Sequence, residues 1–99
     1  KRILGFGPGI NYEEIKGSNN YIVLDVRTPQ EFKSGHLKGS KNIPLNKISG
    51  TSSISKNKTI ITCCASGMRS GQAASILRSK GYEKVYNGGS WQSVRANLN

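Results

Sequence analysis

The sequence predicts an α/β fold in which a small parallel β-sheet is flanked by helices on both faces. Two apolar, β-branched segments, 21–24 and 59–63, have the continuous hydrophobic pattern of strands that are buried on both sides. Residues 69–80, which follow the second strand, carry their apolar side chains at helical spacing and stop at Gly81. Strands that alternate with helices form parallel sheets with right-handed crossovers.

The shorter elements are predicted from turn and capping residues. Thr28, Pro29 and Glu31 have the spacing of a helix start with a capping box. A weak helix within 46–58 is compatible with the sequence but is not required by it. The other expected elements are a helix at 11–15 capped by Asn11, a turn at 17–20, a strand at 42–43, a strand at 85–86, a turn at Gly88-Gly89 and a closing helix at 91–98.

The length of 99 residues fits one domain. We expect an irregular lead-in at 1–9, which holds three glycines and a proline, followed by a single domain over 10–99. A cytoplasmic location is the default expectation: two thiols without a disulfide framework suggest a reducing compartment or a reactive cysteine, and no segment is apolar enough to cross a bilayer. The start at Lys1 also leaves a processed or anchored form open.

The chain is strongly basic, with 15 Lys and Arg against 5 Asp and Glu and a net charge of +10. Such a charge attracts anions, from a small inorganic substrate to nucleic acid or anionic lipid. The basic residues are spread along the chain, however, and no aromatic residues alternate with them as a surface for single-stranded nucleic acid requires. We therefore interpret the charge mainly as a solvated surface and predict no nucleic-acid partner and no membrane span.

The two cysteines, Cys63 and Cys64, are neighbours in the chain. Adjacent Cα atoms lie about 3.8 Å apart, which is shorter than the usual disulfide range. A bond between these two residues would be strained. With a single His and no further Cys, the chain lacks the ligands of an ordinary four-ligand zinc site, and we predict neither a metal nor a cofactor.

The segment with the clearest chemistry is the loop between the second strand and the helix that follows it. It begins at Cys64, continues through Ala65, Ser66, Gly67 and Met68, and ends at Arg69 and Ser70. Ligands of open α/β sheets bind beyond the carboxyl ends of strands, where this loop lies. Backbone N–H groups and the positive end of the helix favour a thiolate, and an inward Arg69 would add a positive charge. We predict Cys64 as the nucleophile and residues 65–70 as the substrate-binding loop.

Several motifs, which together span about residues 20–92, resemble the rhodanese family in their order along the chain. They are Leu24-Asp25-Val26-Arg27-Thr28-Pro29 with Glu31-Phe32, Gly35-His36-Leu37-x-Gly39-Ser40 with Asn42-Ile43-Pro44, Cys64-x-x-Gly67-x-Arg69-Ser70, Ala73-Ala74 with Leu77, Gly81-Tyr82, and Gly88-Gly89 before Trp91. The resemblance implies a sulfurtransferase that takes sulfur from an anionic donor such as thiosulfate, or from a persulfide. Cys64 would carry it as a persulfide and pass it to cyanide, a thiol or a protein acceptor.

Two other functions remain as alternatives. One is a non-catalytic or regulatory binding module of the same fold, which the intact Cys64 opposes because inactive members of the family typically lose that residue. The other is a phosphatase or arsenate reductase, in which the resemblance implies a loop one residue longer than the four residues between Cys64 and Arg69. The sequence also lacks an evident general acid for a leaving alcohol.

Side chains around the loop have competing interpretations. Arg69 either serves a bound anion or holds the loop through a carboxylate. Cys63 is interpreted as a core residue, with a resolving thiol as the alternative. Structural roles are expected for three groups of residues: Asp25 and Arg27 would form an ionic scaffold, His36 would make structural hydrogen bonds, and Trp91 and Tyr86 would pack under the loop. Met68 either lines the mouth of the site or fills space.

Overall fold

The computed structural model describes residues 9–99, and residues 1–8 of the predicted lead-in lie outside the described part. Four strands form one sheet in the order β2-β1-β3-β4, and every pairing is parallel. Their bounds are β1 Tyr21–Asp25, β2 Lys41–Asn42, β3 Thr59–Cys64 and β4 Val85–Ser90. The prediction of a parallel α/β sheet is therefore confirmed.

Within residues 10–99, four α-helices and a 3₁₀ helix accompany this sheet. Their bounds are α1 Tyr12–Ser18, α2 Pro29–Ser34, α3 Met68–Ser79, α4 Trp91–Leu98, and Leu45–Gly50 for the 3₁₀ helix. The first helix runs three residues further than predicted and includes Gly17, because the left-handed residue that ends it is Asn19, at φ 55°. The predicted capping box of α2 is present: the Thr28 hydroxyl accepts the Glu31 amide, and the Glu31 carboxylate accepts the Thr28 amide.

Apolar clusters lie on both faces of the sheet, as predicted. Successive residues of β3 point to opposite faces, so Ile60 and Cys64 belong to one cluster while Ile61 and Cys63 belong to the other. The first cluster packs against α3 and the 3₁₀ helix, and the second packs against α1 and α4. The side chains of the two neighbouring cysteines consequently lie on opposite faces of the sheet.

The predicted turn at Gly88-Gly89 is wrong, since both glycines lie inside β4. The register between β3 and β4 shifts here, with Thr62 opposite Asn87 but Cys64 opposite Ser90, so β4 accommodates one extra residue. Gly89 adopts a positive φ of 83° in this irregularity. At Gly88 a Cβ atom would lie 2.5 Å from the Val94 side chain, which explains why only glycine fits. Two glycines that read as a turn thus form a strand bulge.

None of the helices in the described part of the chain is long and apolar enough to cross a membrane.

Candidate active site

Cys64 is the last residue of β3 and lies directly before the turn into α3. Its side chain is on the α3 face of the sheet and is only 1% exposed. Ala65 and Ser66, which follow it, are exposed and have small side chains. Cys64 therefore lies at the carboxyl edge of the sheet, where sequence reasoning placed it, and its side chain belongs to the apolar cluster on the α3 face.

Two backbone amides of the loop donate to the Cys64 sulfur. The Gly67 amide lies 3.0 Å from Sγ and the Ser70 amide lies 3.4 Å from it. Gly67 is the N-cap residue of α3 and, at φ 109°, has a conformation that side chains disfavour. An N-cap side chain normally accepts the third amide of a helix, but glycine has none to offer. The sulfur of Cys64 accepts that amide instead, and so it caps α3.

The pKa of Cys64 lies below the usual value of a thiol. Burial raises the pKa, but hydrogen bonds from the Ser70 hydroxyl and from the amides of Ser70, Gly67 and Ser66 outweigh burial because they favour the anion. The Ser70 Oγ atom lies 3.4 Å from Sγ. The loop thus stabilises a thiolate with neutral donors and without a histidine.

The Arg69 side chain reaches α2, where it forms a two-pronged ion pair with Glu31. The two Nη–Oε distances are 2.7 and 3.0 Å. The Arg69 guanidinium and the Thr28 amide lower the pKa of Glu31 to about 2. Of the two roles considered for Arg69, the structure favours holding the loop through a carboxylate.

A polar network behind the loop connects it to β4. The Asn87 side chain accepts the Ser70 hydroxyl at 2.6 Å and donates to the Gly67 carbonyl at 3.0 Å. Thr62 adds a hydrogen bond from its hydroxyl to the Ser70 carbonyl, at 2.8 Å. Sequence reasoning missed Asn87 and Thr62 as site residues. The only signal for Asn87 was its place before a glycine pair, which was interpreted as a turn.

Cys63 is fully buried on the opposite face, in the cluster formed with α1 and α4. Burial, followed by the nearby Asp25 carboxylate, raises the pKa of Cys63 to about 12. Both facts agree with a core residue. A resolving thiol would have to reach Cys64, and the structure directs Cys63 away from it.

The remaining candidates have structural contacts. Arg27 forms a buried ion pair with Asp25 at 2.8 Å, also donates to the Gly35 carbonyl, and lies over the Trp91 ring at 5.2 Å. His36 stacks on Phe32, and its Nδ1 atom lies 2.6 Å from the Phe32 carbonyl oxygen. The contacts of Arg27 join the end of β1 to the residue that follows α2 and to α4.

Met68 is 78% exposed at the start of α3, so it lies at the surface of the loop and does not fill space in the core. Among residues 9–99, no three His, Cys, Asp or Glu side chains lie together as metal ligands would. The chemistry that the described residues offer is that of a sulfur nucleophile among amide donors.

Comparison with known proteins agrees with this geometry. A family model described as a rhodanese-like domain matches residues 11–96. The chain belongs to the rhodanese-like family. Among curated proteins of this family, it is 36% identical over 74 residues to the thiosulfate sulfurtransferase PspE of Escherichia coli, covering 72% of this chain and 71% of that protein.

A second relative and two solved structures extend the comparison. The uncharacterized protein YqhL of Bacillus subtilis is 39% identical over 66 residues, which cover 66% of this chain. The aligned part is 52% of YqhL, so the chain spans about half the length of that relative. The structure of a rhodanese with anions from E. coli matches with a TM-score of 0.68 at 36% identity, covering 74% of this chain and 89% of that one. Human TSTD1, a single-domain sulfurtransferase, shares the fold with a TM-score of 0.69 at 21% identity, covering 83% and 87% of the two chains.

Proposed function

We propose that this rhodanese-like chain is a sulfurtransferase that carries sulfane sulfur on Cys64 as a persulfide. The observation that carries the proposal is the contact of Sγ with the Gly67 and Ser70 amides at the start of α3. These donors lower the pKa of Cys64 although the side chain is buried. The thiolate is the attacking species in sulfur exchange, so a lowered pKa of Cys64 favours this reaction.

The reaction has two half-steps. In the first, the Cys64 thiolate attacks the sulfane sulfur of thiosulfate; the S–S bond of the donor breaks, and sulfite leaves with the electron pair. With an organic persulfide as donor, the leaving group is the corresponding thiolate. In the second, cyanide or an acceptor thiolate attacks the outer sulfur of the Cys64 persulfide, and thiocyanate or a new persulfide forms while the Cys64 thiolate is restored.

The backbone N–H groups of residues 65–70 are proposed to bind the transferred sulfur. Three of these residues, Ala65, Ser66 and Gly67, have at most a small side chain, so their amides are able to approach an extra atom on Sγ. Amides that are already oriented toward an anion stabilise it without reorganisation, as in an oxyanion hole. Because Arg69 is paired with Glu31, we assign it to positioning the loop and leave the anion to the amides and the helix terminus.

Cys64→Ser and Cys63→Ser provide a matched pair of variants for the test. Each protein is incubated with thiosulfate, freed of excess donor and weighed intact by mass spectrometry. We expect wild type and Cys63→Ser to gain one sulfur, about 32 Da, that cyanide removes, and Cys64→Ser to gain nothing.

The same preparations separate the proposal from its alternatives. A gain that persists in Cys64→Ser, or no gain with either thiosulfate or an organic persulfide, would contradict sulfur transfer through Cys64. Hydrolysis of para-nitrophenyl phosphate that depends on Cys64 would favour a phosphatase. The four-residue spacing between Cys64 and Arg69 supports the expectation that this activity is absent.

A further inference from the structure

The Ser70 hydroxyl lies between two acceptors but has only one hydrogen to donate. The Ser70 hydroxyl has a single hydrogen, while two groups compete for it: the Asn87 Oδ1 atom at 2.6 Å and the Cys64 sulfur at 3.4 Å. Ser70 is fully buried, so solvent supplies no additional donor to its side chain. The direction of this one hydrogen determines whether the Ser70 hydroxyl donates to the Cys64 sulfur or to Asn87.

The orientation of the Asn87 amide is fixed by two backbone groups. Its Oδ1 atom accepts the Gly89 amide at 3.0 Å, and its Nδ2 group donates to the Gly67 carbonyl at 3.0 Å. A flipped amide would place two donors together at Gly89 and two acceptors together at Gly67. The amide also fits closely against α3, since a Cβ atom at Gly71 would lie 3.1 Å from Nδ2. Ser70 therefore faces the oxygen of Asn87, which only accepts.

The two states of Cys64 require opposite arrangements of Ser70. A thiol is able to donate its own hydrogen to Ser70 Oγ, and the Ser70 hydrogen then remains on Asn87. A thiolate only accepts, so Ser70 donates to sulfur only after its hydroxyl has turned away from Asn87. Asn87 keeps the Gly89 amide as a donor throughout, which leaves its oxygen satisfied after the turn.

We propose that Asn87 is a positioning residue that holds the Ser70 hydroxyl away from Cys64 in the thiol state and releases it to the sulfur anion. Asn87 in this way opposes ionisation of Cys64, while the backbone amides favour it. Cys64 interacts electrostatically with Cys63 on β3 and with Arg69 on α3. Arg69 is in turn paired with Glu31 of α2. On β4, the neighbouring polar side chains, Asn87 and Ser90, are uncharged.

The test is a double-mutant cycle of Asn87→Ala and Ser70→Ala in which the rate of Cys64 alkylation by iodoacetamide is followed against pH. Below the thiol pKa this rate is proportional to the thiolate fraction. Asn87→Ala is expected to raise the rate about 2- to 10-fold, the equivalent of one ordinary hydrogen bond. In the Ser70→Ala background, the same substitution is expected to change nothing, because the hydroxyl for which Asn87 competes is absent.

A purely structural role for Asn87 gives a different result. Loss of the Asn87–Gly67 bond would loosen the loop, and alkylation would then be slower, unchanged, or altered equally in both backgrounds; each of these results overturns the proposal. Asn87→Ser is measured in parallel, because its hydroxyl is able to accept the Gly89 amide but is too short to reach Ser70. If Asn87→Ala fails to fold, Asn87→Ser is expected to show the same rise in alkylation rate, and no change in the Ser70→Ala background.

This inference rests on the proposed function only for the choice of Cys64 as the reactive atom. Alkylation reads the thiolate directly and needs no sulfur donor. Failure of persulfide formation with an intact coupling between positions 70 and 87 would therefore reject sulfur transfer alone. Normal persulfide formation without the coupling would reject the role of Asn87 alone.

Discussion

Arg69 and Glu31 are 38 residues apart in the chain, yet their side chains meet in a two-pronged ion pair that connects the first turn of α3 to α2. Each side chain is about one third exposed, at 35% and 37%. Glu31 also closes the capping box of α2. One carboxylate therefore secures the start of two helices, one of which carries the loop of Cys64.

Removing the charge of Glu31 is expected to destabilise the fold. Glutamine at position 31 keeps the capping box but loses the ion pair with Arg69. We expect Glu31→Gln to lower the free energy of unfolding by about 0.5–1 kcal/mol, the upper part of the range for exposed pairs, because two hydrogen bonds are charge-assisted. Urea denaturation measures the loss. Glu13→Gln is the matched control, since Glu13 is 88% exposed in a single-contact pair with Lys16; an equal loss in both variants would contradict the prediction.

The same pair predicts a loss of stability in acid. The pKa of Glu31 is lowered to about 2, well under the value of about 4.3 in an unfolded chain. The contribution of a lowered carboxyl pKa is complete above the unfolded value and is lost as the pH falls through the folded one. The difference in melting temperature between wild type and Glu31→Gln should accordingly shrink between about pH 5 and pH 2. A difference that stays constant over this range would refute the assignment.

The two cysteines should react at very different rates. Cys64 has a lowered pKa and accepts hydrogen bonds from the amides of the loop, whereas Cys63 has a pKa raised to about 12 and is fully buried against α1 and α4. We expect native protein at pH 7 to take up one iodoacetamide adduct, Cys64→Ser to take up none, and urea-unfolded protein to take up two. Peptide mapping identifies the site. Rapid native labelling of Cys63 would be inconsistent with its buried position.

Gly88 provides a test of packing at the β4 bulge. A Cβ atom there would lie 2.5 Å from Val94, 2.8 Å from Ile61 and 2.9 Å from the Thr62 carbonyl oxygen. Because the backbone carbonyl is unable to move aside cheaply, Gly88→Ala should lower stability by about 1–3 kcal/mol or more. Gly17→Ala is the control: Gly17 lies in α1 with open space around it, and alanine there should stabilise by up to about 1 kcal/mol. Equal melting temperatures for the two variants would contradict this account.

Local sequence patterns were sufficient for the framework of the fold. Strands β1 and β3 were predicted because their apolar runs are continuous, and Cys64 was predicted because a strand end, a glycine and a helix start coincide in the loop. Thr28 and Glu31 were recognised because a capping box lies within four residues. All of these signals are local in the chain.

The contacts that shape the site are not local. Glu31 was identified as a helix-capping residue and as part of a family motif, but nothing in the sequence brings it to Arg69. Asn87 and Ser70 are 17 residues apart and meet only because β4 pairs with β3 and leaves its regular register at Gly88 and Gly89. A glycine pair has the same composition in a turn and in a bulge, and the difference depends on the strand beside it.

Helix α3 begins on a glycine, and the atom that completes its first turn is the sulfur that we propose to be loaded and unloaded. The Cys64 sulfur therefore contributes to the stability of the folded domain as well as to the proposed reaction. An anion at this helix terminus is bound more favourably than a neutral thiol. The anionic persulfide and the thiolate that remains after transfer both gain free energy at this helix terminus, so the difference between these two gains sets how firmly the folded domain retains sulfur. Changes that only stabilise or fray the first turn of α3 would then alter how readily sulfur is given away.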